Sequence, residues 1–151
     1  TIVGRRLGGS LEEFRVNPQK TIDYMEETGF AGGQLYPAEK LTNLVNYLNK
    51  RGVTVWGTTT NPGFKGKADG TGLMFLPENP TVLQVKHELS HYLDFKRIGF
   101  DGYYNDMTRV QREQLVLTRL QSNRSWSGYS DAERTFSVNY VERLIEESGS
   151  Q

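Results

Sequence analysis

The chain has 151 residues, 36% of them hydrophobic and 24% charged, a size and balance that fit one domain with a buried core. Eighteen basic residues offset eighteen acidic ones, so there is no long-range positive field. This argues against a nucleic-acid protein held by phosphate neutralisation. Cysteine is absent, which excludes disulfides, thiolate metal sites and cysteine nucleophiles together.

No apolar run approaches the roughly 20 residues that span a bilayer, and no charged-then-apolar signal segment opens the chain. The first residue is Thr1 rather than Met, as expected for a piece of a longer protein or a processed product. A small basic cluster at Arg51, Lys65 and Lys67 reads as a solvated loop face.

Residues 1 to 20 are broken by Gly8-Gly9 and Pro18 and read as loop with a short helix. Thr21 to Glu27 has helical character that stops at Gly29, and "FAGGQLY" (30–36) is a connection. A clearer helix is predicted from Pro37 to about Arg51. Proline suits a first turn, where its missing N–H has no helical partner, and Gly52 suits the end. Leu41, Leu44, Val45 and Leu48 recur at helical spacing and form one apolar face. "VTVWGTTT" (53–60) is β-branched and predicts a strand, "NPGFKGKADG" (61–70) a loop, and "TGLMFLP" (71–77) a second strand. The two strands are expected as a hairpin or as neighbours.

The next helix has Asn79 as its expected cap and Pro80 at its first position. Lys96 and Arg97 suit its negative end, and Gly99 suits its stop. "FDGYYND" (100–106) is turn-rich, another helix covers about Met107 to Gln121, and a serine-rich link leads to a last helix. That helix starts at Ser130, where Ser130-Asp131-Ala132-Glu133 has capping-box spacing. The expectation is one α+β domain over 1–151. It has a helical N-terminal part (1–50), a strand pair with two helices (51–121) and a C-terminal helix (122–151).

"VKHELSHYL" (85–93) holds both histidines of the chain, His87 and His91, four residues apart. Residues at that spacing stack on one helix face, so the two imidazoles can aim at one point. Neutral imidazole is a good ligand for Zn²⁺, at about 2.0–2.1 Å. Glu88 is rotated by roughly 100° from His87, so it need not be a ligand. Bound zinc lowers the pKa of water towards about 7. Glu88 is the expected catalytic residue, taking that water's proton and passing it to a leaving amine.

A catalytic zinc usually needs a third protein ligand. A histidine six residues beyond His91 is ruled out, because Arg97 stands there. Asp94, Asp101, Asp106, Glu113 and Glu133 are the candidates. Asp94 lies a turn along the same helix and is better placed as an outer hydrogen-bond partner for an imidazole N–H, or facing solvent. Turn chemistry explains Asp101 and Asp106, and the capping box explains Glu133. Glu113 sits amid an apolar stripe of Val110, Val116, Leu117 and Leu120, where an unpaired carboxylate costs several kcal/mol. Arg109 or Arg112 would satisfy it, and so would a zinc on His87 and His91; Glu113 is the favoured third ligand. For substrate, the edge of "TGLMFL" is the expected site for an extended peptide. Tyr103, Tyr104, Tyr129 and Tyr140 are candidate donors to an oxyanion.

"HELSH", followed by "REQLV" on a second helix, resembles the glutamate-ligand branch of the zincin superfamily. With the strand-loop-strand before "LPENPTVLQVKHELSHYLDF", the chain looks like the zincin-like metallopeptidase toxin domains of bacterial polymorphic toxins, metallopeptidase toxin 4 in particular. The resemblance covers about residues 50 to 121. It implies a single zincin-like domain, with a small sheet packed against an active-site helix and a following helix that carries the third ligand. It also implies one zinc per chain held by His87, His91 and Glu113, with Glu88 as general base and acid. The protein would be secreted and delivered into a target cell, cytoplasmic in its producer before export, and neutralised there by an immunity protein. The function expected is a zinc endopeptidase acting on a peptide or protein. A zinc amidase with a non-protein substrate and a non-enzymatic metal-stabilised binding module are the alternatives.

Overall fold

The computed structural model describes residues 33–58 and 61–149. The helix expected over Thr21 to Glu27 and the loop before it lie outside these residues. Along the described chain come α1 (Ala38–Lys50), β1 (Val53–Thr58), β2 (Gly63–Gly66), β3 (Gly72–Pro77), α2 (Val82–Ile98), a π-helical turn (Asp101–Asn105), α3 (Arg109–Ser122), a 3₁₀ turn (Arg124–Gly128) and α4 (Asp131–Gly149). The fold is α+β, with a small sheet packed against helices.

The sheet has the order β1-β3-β2. β1 runs parallel to β3, from Val53 opposite Gly72 to Thr58 opposite Pro77. β2 pairs antiparallel with β3, from Gly63 opposite Phe75 to Gly66 opposite Gly72. Two expectations are corrected here. Residues 61–70 are more than a loop, since β2 lies within them and forms the hairpin with β3; β1 and β3 are neighbours, the second of the two expected arrangements. The turn that closes the hairpin is chemically explicit. Gly70 takes φ +89° and donates its N–H to Lys67 O at 3.0 Å, and Asp69 Oδ1 accepts from Thr71 N at 2.9 Å. The second correction follows from the strand order. β3, "GLMFLP", is the central strand with a partner on each side, so its edges are occupied by ladders and it is not the free edge for a peptide.

The helical boundaries follow from capping. Thr81, not Asn79, caps α2: its Oγ1 accepts from Gln84 N at 3.1 Å while Gln84 Oε1 accepts from Thr81 N at 3.0 Å. Asn79 instead takes a left-handed φ of 48° ahead of the helix, and Pro80 precedes the cap. Thr108 and Gln111 form the same box at the start of α3, and Ser130 and Glu133 do so at α4, as the sequence predicts. Gly52, with φ +82°, follows α1 as expected.

Leu41, Val45 and Leu48 of α1 pack with Val53, Val55, Met74 and Leu76 of the sheet and with Val85 and Tyr92 of α2. Leu83 of α2 joins Val116 and Leu120 of α3 and Tyr129 in a second cluster. α2 is therefore apolar on two sides, and its remaining surface, with His87 and His91, is held in a fixed orientation. Among the described residues, no helix is long and apolar enough to cross a membrane.

Gly66 joins sheet and helix most closely: a Cβ there would lie 2.4 Å from the Phe95 ring. That ring is confined by Phe64, Tyr103 and Tyr104 and cannot swing away cheaply. Gly66→Ala is expected to lower stability by about 1–3 kcal/mol, as overpacking does, read from the denaturant midpoint; an unchanged midpoint contradicts this packing.

Candidate metal centre

His87 and His91 stack one turn apart on α2, with ring centroids 5.0 Å from each other. Glu113 reaches between them from α3. Its Oε1 lies 2.8 Å from His91 Nε2 and 3.1 Å from His87 Nε2. One donor atom from each of the three residues lies within 4.8 Å of the others, and the group could hold a metal ion. Two imidazole nitrogens and a carboxylate oxygen, aimed at one point without sulfur, fit a divalent metal of the borderline class. Among the described residues this is the one such group.

The arginines offered as competing partners for Glu113 are engaged elsewhere. Arg112 donates to Met107 O at 2.8 Å and Tyr103 O at 3.1 Å, and Arg109 donates to Tyr140 Oη at 3.0 Å. The Glu113 carboxylate is 7% exposed, so its two imidazole partners are what keep it charged. Burial opposes the charge, but hydrogen bonds and charge from His87 and His91 outweigh it and hold the carboxyl well below the usual range. Burial likewise opposes a charged His87, while Glu88 and Glu113 raise its pKa above the ordinary value.

Glu88 is also buried, and burial pushes its pKa up; His87 and His91 act against that shift and Glu113 with it. Among the described residues no hydrogen bond or ion pair engages its carboxylate. It lines a cavity of about 280 Å³ together with the three donor residues, Phe64 and Tyr140. A larger groove of about 710 Å³ lies elsewhere; among the described residues its walls come from α4, and no histidine reaches it. The smaller cavity is the one that the three donor residues line.

Asp94 does not take the expected role. It is buried, but it pairs with Arg119 of α3 and, at 3.6 Å, with Arg97, and no hydrogen bond joins it to an imidazole. A buried carboxylate needs a cation, and Arg119 supplies it. The outer partner of His91 is instead Tyr103, whose hydroxyl lies 2.5 Å from Nδ1. No nearby sequence signal pairs these two. Asp101 accepts from Asn105 at the surface, Asp106 is exposed in the same turn, and Glu133 serves its cap. Of the tyrosines, Tyr104 accepts from Gly66 N at 2.7 Å, Tyr129 packs in the second apolar cluster, and Tyr140 faces the cavity with its ring 6.5 Å from His87. Sequence reading missed the Arg109–Tyr140 pair and the contribution of β2 through Phe64.

In comparisons with known proteins, no family model matches the chain, and neither a curated protein nor a solved structure matches it. The functional reading therefore stands on the residues and their geometry.

The depressed Glu113 pKa has a definite sign in metal-free protein. Its stabilisation is present above the unfolded value of about 4.3 and is lost as pH falls through the folded value. Chelator-treated wild type should lose denaturant stability more steeply than Glu113→Gln as pH drops below about 4.3. Parallel pH profiles for the two proteins would contradict this.

Proposed function

We propose that the chain is a zinc-dependent endopeptidase and, on its motif resemblance, the C-terminal toxin domain of a secreted bacterial competition protein, held in check by an immunity protein in its producer. The observation that carries the enzymatic reading is the convergence of His87, His91 and Glu113 beside a buried Glu88 in one cavity. The toxin reading rests on "HELSH", "REQLV" and the strands before them.

His87, His91 and Glu113 would hold the metal, and two nitrogens with one oxygen are a ligand set that suits zinc. Bound zinc supplies Lewis acidity, lowering the pKa of water towards about 7 and polarising a carbonyl. The chain does the rest. Glu88 accepts the proton of the attacking water and returns it to the leaving amine. Tyr140 is the best placed donor to the developing oxyanion. Arginine carries donors only, so the Tyr140 oxygen accepts from Arg109 and its own hydrogen is left to point into the cavity.

The peptide edge moves from β3 to β2. Backbone groups alternate sides along a strand. Gly66 N–H turns away from β3 to Tyr104, so Phe64, two residues earlier, presents its N–H and C=O on the same outer side. Phe64 lines the cavity, which places that edge where an extended substrate would pair.

Glu88→Gln should retain metal and lose peptide cleavage by about 10²–10⁴-fold, measured on a peptide library; wild-type turnover in that variant rejects the mechanism. Tyr140→Phe should lower kcat by about 10²–10³-fold with KM little changed, and an unaltered kcat removes Tyr140 from the oxyanion role.

A further inference from the structure

The two histidines are not held alike. His87 has Glu113 at Nε2, and its side chain is 26% exposed. His91 is 13% exposed and is held at both ring nitrogens, by Glu113 at Nε2 and by the Tyr103 hydroxyl at Nδ1. The phenol that makes this second contact is itself immobilised. Tyr103 is 1% exposed and lies in the π-helical turn Asp101–Asn105 directly after α2. Its ring meets Phe95 and Tyr104 edge-on at 6.2 and 5.1 Å, and Arg112 takes its carbonyl at 3.1 Å. At Gly102, beside it, a Cβ would lie 2.6 Å from the Ile98 side chain, which would have to shift to admit it. Single π turns recur at functional sites, and here the turn carries the backbone far enough to bring a hydroxyl under a histidine of the preceding helix.

We propose that Tyr103 is a positioning residue for metal binding: its hydroxyl anchors His91 through Nδ1, so that Nε2 faces the donor group. This rests on the proposed function only in taking His87, His91 and Glu113 to hold a metal. The choice of a phenol has a chemical consequence. A carboxylate behind a ligating histidine accepts only and therefore demands a proton on Nδ1. A hydroxyl donates or accepts, so it satisfies Nδ1 in either tautomer. Without metal, Nε2–H of His91 donates to Glu113 while Nδ1 accepts from Tyr103. With a metal held by the site, Nε2 would offer its lone pair and Nδ1–H would donate to the Tyr103 oxygen. The ring need not turn, and the site is hydrogen-bonded when empty and when filled.

Tyr103→Phe keeps the ring packing and the backbone contact of Arg112 and removes only the hydroxyl. Its dissociation constant for zinc, measured by chelator competition, should rise by about 10–100-fold, with a shifted visible spectrum for the cobalt(II)-substituted protein. Tyr129→Phe, which loses a hydroxyl in the second apolar cluster, should bind as wild type does. Equal zinc affinity and equal cobalt spectra for Tyr103→Phe and wild type overturn the proposal. Nitrogen NMR of the zinc-loaded wild type reads the same contact without a substitution: a slowly exchanging proton on His91 Nδ1 supports it, and a rapidly exchanging one overturns it. A weakened zinc site in Tyr103→Phe, together with a wild type that cleaves no peptide, leaves this role standing and rejects the peptidase. A wild type that binds no metal rejects both.

Discussion

A carboxylate buried between two helices cannot stay charged unless something cationic or hydrogen-bonding meets it, and Glu113 is such a carboxylate. It projects from α3 into the gap between the imidazoles of α2, where His87 and His91 both turn Nε2 towards one of its oxygens. The arrangement couples the two helices chemically as well as sterically. It also leaves three donor atoms converging on a single point, at the floor of a cavity that Glu88 shares. Stability and chemistry thus depend on the same contact. The imidazoles satisfy the carboxylate, and the same three donors could hold a metal ion.

The rest of the fold serves to hold that contact in place. α2 is packed on one side against β2 and β3 and on another against α3, so its histidines have little freedom to rotate about the helix axis. Capping boxes start α2 at Thr81 and α3 at Thr108, which sets the phase of the residues that follow. Asp94 and Arg119 add a second polar tie between the same helices. The π-helical turn sends two consecutive tyrosines in different directions, Tyr103 to His91 and Tyr104 to the backbone of β2. One short connection thereby contacts both His91 and the strand bordering the cavity.

What could be read from sequence alone was local and periodic. His87 and His91 share a face because they are one helical turn apart, and Glu113 stood out because a charge interrupted an apolar stripe. Ser130–Glu133 was legible for the same reason, as a spacing with a known mechanism. The Thr81–Gln84 box was equally present in the sequence, but Asn79-Pro80 offered a stronger conventional start and displaced it. What escaped was non-local. Nothing in "GFKG" marks a strand, since its glycines have low β propensity and it is held by pairing with β3. Strand order and direction depend on partners far along the chain. From sequence, Asp94 reads as an outer partner for an imidazole N–H or as solvent-facing; its pairing with Arg119 depends on how α3 crosses α2. The contacts of Tyr103 with His91 and of Arg109 with Tyr140 depend on that crossing too.

The central claim is that the three converging donors hold a metal and that Glu113 is one of them. The most direct measurement is the zinc content of purified wild type and of Glu113→Ala, after dialysis against a weak chelator. One equivalent per chain in the wild type, with loss of most of it in Glu113→Ala, is the predicted result. A wild type that retains no zinc would contradict the account, and so would a Glu113→Ala protein that keeps a full equivalent.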